Sequence, residues 1–411
     1  MKKKKILVSA YACEPDKGSE PGVGWNWVKQ IARFSEVWVV TRANNRKNIE
    51  KYSDRKEIQD IHWIYYDLPR WARFWKKGER GVRLYYYLWQ VMIFFVAKKY
   101  HKNYKFDIIH HLTFGVYWFP SFLVFIKCPF VWGPVGGGEK TPNNFFKTLD
   151  WRGKIYEAAR SFAQKVALFD PFMRLMIRRT AVALTKASET AETLKSLGVK
   201  KILVFSEAAI NDENISSPAV QTPRNGRPFR FICIGRLIHW KGYHLGLEAF
   251  CRFQKQFPAA ELWFIGDGAE RTKLEGFAIK HQLDQNVCFW GRLPRTEVLN
   301  KLKQCDVLLH PSLHDSGGWA CLEGLAAGKP VICLNLGGPA LQVNEQTGIK
   351  VMASNPEQTI NGIAEGMLTL ATEEELYIAM ANAAIIHVRN NFNWNKKGDF
   401  VEKVYQELLS K

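Results

Sequence analysis

The chain has 411 residues, which is too long for one ordinary hydrophobic core and predicts two domains of roughly 200 residues each. Apolar residues make up 47% and charged residues 24%, which is typical of a globular protein and excludes a disordered or fibrous chain. The net charge of +19 lies in the first half, because residues 1–210 hold 37 Lys and Arg against 18 Asp and Glu, whereas residues 211–411 hold 21 of each kind. This asymmetry indicates an anionic partner for the first half (a membrane, a phosphorylated substrate or a nucleic acid), unless that surface is simply basic.

Short apolar runs alternate with helical patterns along the first half, which predicts α/β layers around a parallel sheet. Met1–Cys13 has the lysines and the apolar run of a secretion signal, but acidic residues follow at once and favour a buried first strand. The eight cysteines include no C-x-x-C pair, which predicts free buried thiols and argues against a zinc or disulfide framework. The predicted strands of this half are Lys5–Ala10, Glu36–Thr41, His62–Tyr66, Asp107–His111, Phe130–Gly133, Ala181–Thr185 and Lys201–Phe205.

A glycine-rich loop, Gly18–Trp25, is predicted between the first strand and a helix. Its glycines predict an anion-binding turn, in which Gly22 and Gly24 approach the ligand. The loop lacks the G-x-G-x-x-G spacing with a downstream acidic residue, so a nicotinamide cofactor is disfavoured.

Aromatic and basic side chains interleave between residues 70 and 105. This mixture is typical of a membrane interface, where each basic residue near an anionic bilayer contributes roughly 1 kcal/mol. A core helix with charged ends is the alternative, and nucleic-acid binding is disfavoured because no recognisable module accompanies the charge. No transmembrane helix is predicted, since Leu84–Ala97 is too short and Ile108–Ile126 contains histidines, glycine and proline.

Two more segments of the first half follow predicted strands. His110 and His111 end one strand, where a histidine pair can face a ligand, although an isolated histidine is more often structural. Gly133–Glu139 is a predicted loop, in which Gly137 permits close backbone approach and Glu139 can bind ligand hydroxyls; a tight turn is the alternative.

A polar segment with three prolines, 211–228, is the clearest linker, and a second α/β alternation follows it. The predicted strands are Phe229–Gly235, Glu261–Gly266, Asn286–Trp290, Asp306–His310 and Pro330–Leu334. The helical patterns include Tyr243–Gln256, Arg295–Gln304 and the stretch Glu373–Lys411.

The first strand of this second half ends in Gly235, and two cations follow on the loop, Arg236 and Lys241. An arginine offers a planar fork of donors and a lysine a point charge, and both suit a diphosphate. The spacing therefore predicts a phosphate-binding loop.

The strongest signal is the segment His310–Pro330, in which a strand ends and a glycine-containing loop leads into a helix. Gly317 and Gly318 at the helix start let backbone N–H groups approach an anionic ligand. Asp315 on the loop and Glu323 in the second helical turn can face one cleft, and carboxylates suit a ligand rich in hydroxyls.

These two segments, with Gly266-Asp267-Gly268 and Gly291-Arg292 between them, resemble glycosyltransferase family 4, the retaining glycosyl transferases group 1 with the GT-B fold. The resemblance spans nearly the whole chain and is most specific from Arg230 to Leu336. It implies an α/β protein of two Rossmann-like, doubly wound domains that face a cleft, with C-terminal helices packing back toward the N-terminal domain.

The resemblance also implies roles for individual residues. In that family the second acidic residue of the signature binds the nucleotide ribose, the first contacts the donor sugar, and the Arg and Lys stabilise the leaving nucleoside diphosphate. These roles fall on Glu323, Asp315, Arg236 and Lys241, although the family usually has Glu where this chain has Asp. Relatives carry a histidine near His110 and His111 that contacts the donor sugar, but their His-x-His pattern does not choose between the two. Glycogen-synthase-like members place the N-terminal glycine loop near the donor phosphates and the acceptor.

The implied organisation is an acceptor-binding domain at 1–210, a linker at 211–228, a nucleotide-sugar-binding domain at 229–390 and a helix at 391–411 that crosses back. The implied reaction moves a sugar from a nucleoside-diphosphate sugar to a surface-glycan or lipid-linked acceptor, with Gly137 and Glu139 on the acceptor side. We expect a cytoplasmic protein that contacts the inner face of the plasma membrane through residues 70–105.

No metal or other cofactor is expected, because the sequence contains no Asp-x-Asp pair of the kind that holds a metal on the diphosphate in GT-A transferases. Arg236, Lys241 and a helix N-terminus can neutralise the leaving group instead. Two alternatives remain: a catalytically inactive GT-B scaffold at the membrane, suggested by Asp315, and a nucleotide-sugar epimerase.

Overall fold

The structure is a computed structural model that describes residues 3–52, 54–76, 78, 80–217 and 226–410. The centre of the predicted linker, 218–225, lies outside these ranges, as do Lys77 in the aromatic and basic segment and the terminal residues Met1 and Lys411.

The chain divides into two compact units. Unit 1 comprises Met1–Gly138, Arg160–Glu207 and Trp394–Lys411, and unit 2 comprises Glu139–Ala159 and Ala208–Asn393. The C-terminal residues thus return to the first unit. The segment Glu139–Ala159, which the predicted domain 1–210 contains, is grouped with unit 2 instead.

Unit 1 is built on a parallel seven-stranded sheet in the order β3-β2-β1-β4-β5-β6-β7. Its strands are β1 (Lys4–Ser9), β2 (Ser35–Arg42), β3 (Ile61–Tyr66), β4 (Ile108–His111), β5 (Phe130–Val135), β6 (Val182–Thr185) and β7 (Ile202–Val204). Each predicted strand of the first half is present, with ends shifted by one or two residues. The strands read as apolar runs because a parallel sheet is covered by helices on both faces.

The helices of unit 1 cover the two faces of this sheet. They are α1 (Ser19–Ala32), α2 (Arg46–Glu50), α3 (Val82–Tyr104), α4 (Trp151–Ala167, which begins in unit 2), α5 (Pro171–Arg179), α6 (Ser188–Ser196) and the C-terminal helix Trp394–Leu409. Trp27 on α1 meets Trp394 edge to face with ring centroids 6.4 Å apart, so the C-terminal helix packs on the first helix of the chain. Tyr86, Trp89 and Ile93 of α3 are fully buried in the core on the other face.

Unit 2 is built on a parallel six-stranded sheet in the order β10-β9-β8-β11-β12-β13. Its strands are β8 (Arg230–Ile234), β9 (Glu261–Ile265), β10 (Val287–Gly291), β11 (Val307–His310), β12 (Val331–Leu334) and β13 (Gly348–Val351). The sequence predicted the first five, whereas β13 was missed because it is a short edge strand that carries a lysine and is only half apolar.

Helices pack on both faces of this sheet as well and form two separate cores. They are α7 (Tyr243–Gln254), α8 (Arg271–Lys280), α9 (Arg295–Gln304), α10 (Trp319–Ala326), α11 (Gly337–Gln342), α12 (Pro356–Thr372) and α13 (Glu374–Asn391); the C-terminal helix of unit 1 is α14. Both units are therefore doubly wound α/β layers, as the alternation in the sequence predicted. None of the helices within the described ranges combines the length and the apolar composition that a membrane span requires.

Candidate functional site

The strand order of unit 2 reverses between β8 and β11, which lie side by side. In a doubly wound sheet ligands bind beyond the carboxyl ends of the strands at such a point. The loop after β8, residues 235–242, and the loop after β11, residues 311–318, both begin here. The fold of unit 2 thus brings the two predicted signatures to the same edge of its sheet.

Hydrogen bonds join these two loops directly. The carbonyl oxygen of Trp240 accepts from the backbone amide of Leu313 at 2.8 Å and from the hydroxyl of Ser312 at 3.1 Å. Gly242 has φ +63°, and a Cβ at this position would lie 2.0 Å from the carbonyl oxygen of Pro311. Only glycine permits this close approach, so the relative position of the two loops is fixed by their backbones.

Asp315 is the centre of this cluster. Its Oδ2 lies 2.5 Å from Lys241 Nζ and 3.0 Å from His310 Nε2. Its Oδ1 accepts the backbone amides of Gly317 at 3.1 Å and Gly318 at 3.2 Å. Each carboxylate oxygen of Asp315 therefore already accepts two hydrogen bonds from the protein.

The charges in this cluster fix its protonation states. Burial alone would raise the pKa of the Asp315 carboxyl, but the Lys241 ammonium and the hydrogen bond from His310 hold that pKa well below its usual value. Burial and the Lys241 charge lower the pKa of His310, so the imidazole is neutral near pH 7 and donates from Nε2 to the carboxylate. The result is an ionised Asp315 beside one cation and one neutral donor.

Arg236, the other predicted phosphate ligand, differs from Lys241 in its surroundings. Its side chain is exposed, and its guanidinium lies 5.9 Å from the ring centroid of Trp240. The described residues give Arg236 no salt bridge, so its five donors are available to an anion at the edge where Lys241 also lies.

Glu323 lies in the second turn of α10, as the sequence predicted. Its side chain is only 10% exposed, and its Oε1 contacts Nη1 of the exposed Arg295 at 2.5 Å. Sequence reasoning missed Arg295, which follows the Gly291-Arg292 motif at the start of α9. The sequence feature that could have indicated Arg295 is its place in the first turn of α9, shortly after the Gly291-Arg292 motif.

His110 and His111 point to opposite faces of the sheet in unit 1, as neighbours in a strand must. His110 Nε2 donates to Gly133 O at 2.7 Å, which leaves Nδ1 to accept from the Tyr405 hydroxyl at 2.7 Å. His111 Nε2 lies 3.0 Å from the hydroxyl of Tyr86 on α3. Burial lowers the pKa of His110 to about 4 and that of His111 to about 3, so both rings are neutral near pH 7. Both side chains lie in the interior of the unit, and their role at the donor sugar stays a prediction.

The predicted glycine loop at Gly18–Trp25 is wrong in its local structure, because α1 begins at Ser19. Gly22 and Gly24 therefore lie inside a helix. A Cβ at Gly22 would meet the carbonyl oxygen of Lys17 at 1.9 Å, and one at Gly24 would meet that of Ala12 at 2.1 Å. These glycines let α1 pack closely on the chain that precedes it, which is a sufficient reason for their presence.

Gly137 and Glu139, the predicted acceptor contacts, fall in different units. Gly137 has φ +96°, and its carbonyl oxygen accepts from Arg160 and Gln164, each at 2.9 Å, inside unit 1. Glu139 belongs to unit 2, where its Oε2 accepts from the hydroxyl of Ser316 at 2.8 Å. The structure therefore joins Glu139 to the acidic loop that contains Asp315.

Unit 2 as a whole brings together Lys241, Asp315, Gly317 and Gly318, with Arg236 and Glu323 on adjoining loops and helices. His110, His111, Gly22, Gly24 and Gly137 belong to unit 1. In the part of the chain that the structure describes, no three His, Cys, Asp or Glu side chains converge as metal ligands would.

Residues 218–386 match the model of the family described as glycosyl transferases group 1. Glycogen synthase of Mycobacterium tuberculosis is 30% identical over 188 residues, which cover 46% of this chain and 44% of the relative. The chain spans about half the length of the curated relatives that it matches.

Solved structures extend the likeness to both units. A glycosyltransferase from Rickettsia africae has a TM-score of 0.64 at 17% identity, with 99% of each chain covered. The Anabaena protein HepE, in complex with UDP and glucose, has a TM-score of 0.63 at 14% identity, with 98% of this chain and 100% of that chain covered. At these identities the likeness establishes the fold alone, and it is the GT-B fold. Residues 218–386, which match the glycosyl transferases group 1 model, include every strand of the second sheet.

Proposed function

We propose that this chain is a retaining glycosyltransferase that takes a sugar from a nucleoside-diphosphate sugar and does so without a metal. The observation that carries the proposal is the cluster at the switch point of unit 2, where Lys241 is held by Asp315 beside the start of α10. Arg236 adds a second, exposed cation at the same edge. These groups suit a diphosphate, and HepE, which shares the fold, was solved with UDP and glucose bound.

The proposed chemistry follows from these charges. As the bond between the sugar and the diphosphate breaks, negative charge grows on the leaving phosphate and the sugar becomes oxocarbenium-like. Arg236 and Lys241 stabilise that developing charge because they are already in place. Glu323 would accept hydrogen bonds from the ribose. Asp315 fixes Lys241 and two loop amides, and its contact with the donor sugar rests on the family resemblance, as does retention of configuration.

Loss of the exposed Arg236 side chain should abolish the stabilisation of the protein by nucleotide. With EDTA present, we expect one nucleoside diphosphate at 100 times its Kd to stabilise the wild type by about 2.7 kcal/mol, and Arg236→Ala to lose that gain. Differential scanning fluorimetry against UDP, GDP and ADP measures the effect. Arg252→Ala is the matched control, because Arg252 pairs with Glu357 on the surface of the same unit and should leave the response unchanged.

Two results would contradict this proposal. If no nucleotide stabilises the wild type, the transferase assignment fails and an inactive GT-B scaffold becomes the better explanation. If stabilisation appears only when magnesium replaces EDTA, the metal-free part of the proposal is wrong and the donor assignment stands.

We also propose that the acceptor is a surface-glycan or lipid-linked intermediate and that unit 1 contacts the inner face of the plasma membrane through residues 70–105. Trp71 and Phe74 are 79% and 78% exposed. Leu84, Leu88, Met92 and Phe95 are exposed at helical spacing along α3, with Lys98, Lys99 and Lys102 beyond them. Exposed aromatic and aliphatic side chains bordered by lysines suit the headgroup region of an anionic bilayer.

Removal of the two most exposed aromatic side chains should therefore weaken lipid binding. We expect Trp71→Ser with Phe74→Ser to lower partition onto phosphatidylglycerol-containing vesicles by at least about tenfold, because each side chain loses apolar area buried in the interface. Vesicle flotation at low salt measures the partition. Ile279→Ser, at an apolar residue of unit 2 that is 67% exposed, is the control and should bind like the wild type. If the double variant and Ile279→Ser bind the vesicles equally well, residues 70–105 are not the membrane contact.

A further inference from the structure

One segment that precedes the second half in sequence is built into unit 2. Residues 139–159 pack there through Phe145 and Leu149, which are buried in a core of that unit. Asn144 Nδ2 donates to the carbonyl oxygen of Ser354 at 2.8 Å, and Thr148 Oγ1 lies 3.2 Å from His244 Nε2. This docking segment lies outside residues 218–386, the part of the chain that matches the family model.

Glu157 of the docking segment lies between the two loops of the candidate donor site. Its Oε1 is 3.0 Å from His314 Nε2 and 3.3 Å from His239 Nε2. Its side chain is only 3% exposed. Since one carboxylate oxygen faces two ring nitrogens, both imidazoles donate to it from Nε2. His239 is two residues before Lys241 and His314 is one residue before Asp315, so Glu157 bridges the two loops next to their charged pair.

Aromatic stacking reinforces this bridge. The ring of Tyr156 stacks on Trp240 with centroids 4.9 Å apart and planes at 18°. The ring of His314 also stacks on Trp240, with centroids 5.3 Å apart and planes at 15°. The docking segment therefore supports both the turn that contains Lys241 and the loop that contains Asp315.

The other end of the docking segment reaches the same loop. Glu139 Oε2 accepts from the hydroxyl of Ser316 at 2.8 Å, and Glu139 is itself buried. Three consecutive residues of the acidic loop thus have fixed partners: His314 has Glu157, Asp315 has Lys241, and Ser316 has Glu139.

We propose that Glu157 and Glu139 are positioning residues of the donor site. Through them the docking segment sets the geometry of the loops 235–242 and 311–318. The inference rests on the proposed function, and it assigns Glu139 to the donor side rather than to the acceptor. Both carboxylates act through other residues: Glu157 orients His239 and His314, and Glu139 orients Ser316. Small displacements of groups that meet developing charge are costly, because electrostatic stabilisation depends on donors that are already in place.

The test measures nucleotide affinity by titration calorimetry on the full chain, with UDP, GDP and ADP as the probes. We expect Glu157→Gln to raise the Kd of the best-bound nucleotide about tenfold. This variant keeps the shape of the side chain but replaces the carboxylate, which accepts from both imidazoles, with a neutral amide. Asn144→Ala is the matched control, because it removes an anchor of the same segment whose partner, Ser354, belongs to neither loop. It should change the Kd by less than about twofold.

A second set of variants keeps the inference testable if Glu157→Gln does not fold. Glu139→Ala and Ser316→Ala remove opposite ends of one hydrogen bond, so the double variant should bind the nucleotide no more weakly than either single variant. Ser316→Thr retains the hydroxyl and should restore the affinity. A role limited to folding would lower the unfolding temperature of these variants and leave their Kd unchanged.

The outcomes separate the two proposals. If the wild type binds a nucleotide and the Glu157 and Glu139 variants bind it as tightly, the docking segment does not position the donor loops and the proposed function stands. If Asn144→Ala weakens binding as much as Glu157→Gln, docking of the segment matters and the specific role of Glu157 is overturned. If the wild type binds none of the three nucleotides, the proposed function fails and the inference fails with it.

Discussion

Replacing Lys241 with alanine is expected to abolish nucleotide binding and to lower the free energy of unfolding by about 3 kcal/mol. The substitution leaves Asp315 ionised, largely buried and without its cation, while two backbone amides and His310 still hold its carboxylate in place. Losing one member of a buried ion pair costs more than the pair contributes, because the remaining charge has lost its solvation and its partner. Urea unfolding and nucleotide titration measure the two effects separately.

Two variants show whether the charge or the packing is responsible. Lys241→Met preserves most of the side-chain volume and should lose as much stability as the alanine variant, since the cation is what both lack. Asp315→Asn combined with Lys241→Met removes both charges and should recover part of the lost stability without recovering nucleotide binding. Wild-type stability in the single Lys241→Met variant would show that the pair contributes nothing to folding.

The layers of this fold were predictable because the central strands of each sheet are buried on both faces and read as apolar runs. The strand β11, for example, is buried at all four residues from Val307 to His310. The start of α1 was not predictable in the same way. Glycines near a helix start suggest a loop when read locally, whereas Gly22 and Gly24 are needed because Lys17 and Ala12 come close in the folded chain.

The residues of the candidate site also differ in whether the local sequence could indicate them. Lys241, Asp315, Gly317 and Gly318 could be predicted as neighbours because each lies within a short motif at the end of a strand, and the structure places them together. The contribution of Glu157 could not be found, since its partner His314 is 157 residues away and no local pattern marks a buried carboxylate on a helix. Glu139 was noticed in its glycine loop, but the sequence alone did not show that Ser316 would be its partner.

Gly242→Ala is expected to disrupt the donor loops without touching any charged group. An alanine at φ +63° costs about 1–2 kcal/mol from backbone strain alone. Its Cβ would also lie 2.0 Å from the carbonyl oxygen of Pro311, so one of the two loops must move. We therefore expect a loss of at least about 2 kcal/mol in the free energy of unfolding, together with loss of nucleotide binding because Lys241 is the adjacent residue.

A glycine-to-alanine substitution elsewhere in unit 2 should change the free energy of unfolding in the opposite direction. Gly276 lies inside α8, and a Cβ there would meet nothing within 4 Å. Gly276→Ala should raise the free energy of unfolding by about 1 kcal/mol, since alanine favours a helix interior, and should leave nucleotide binding unchanged. Urea unfolding of both variants decides the point. If Gly242→Ala proves as harmless as Gly276→Ala, the backbone contact between the loops after β8 and β11 does not constrain the donor site.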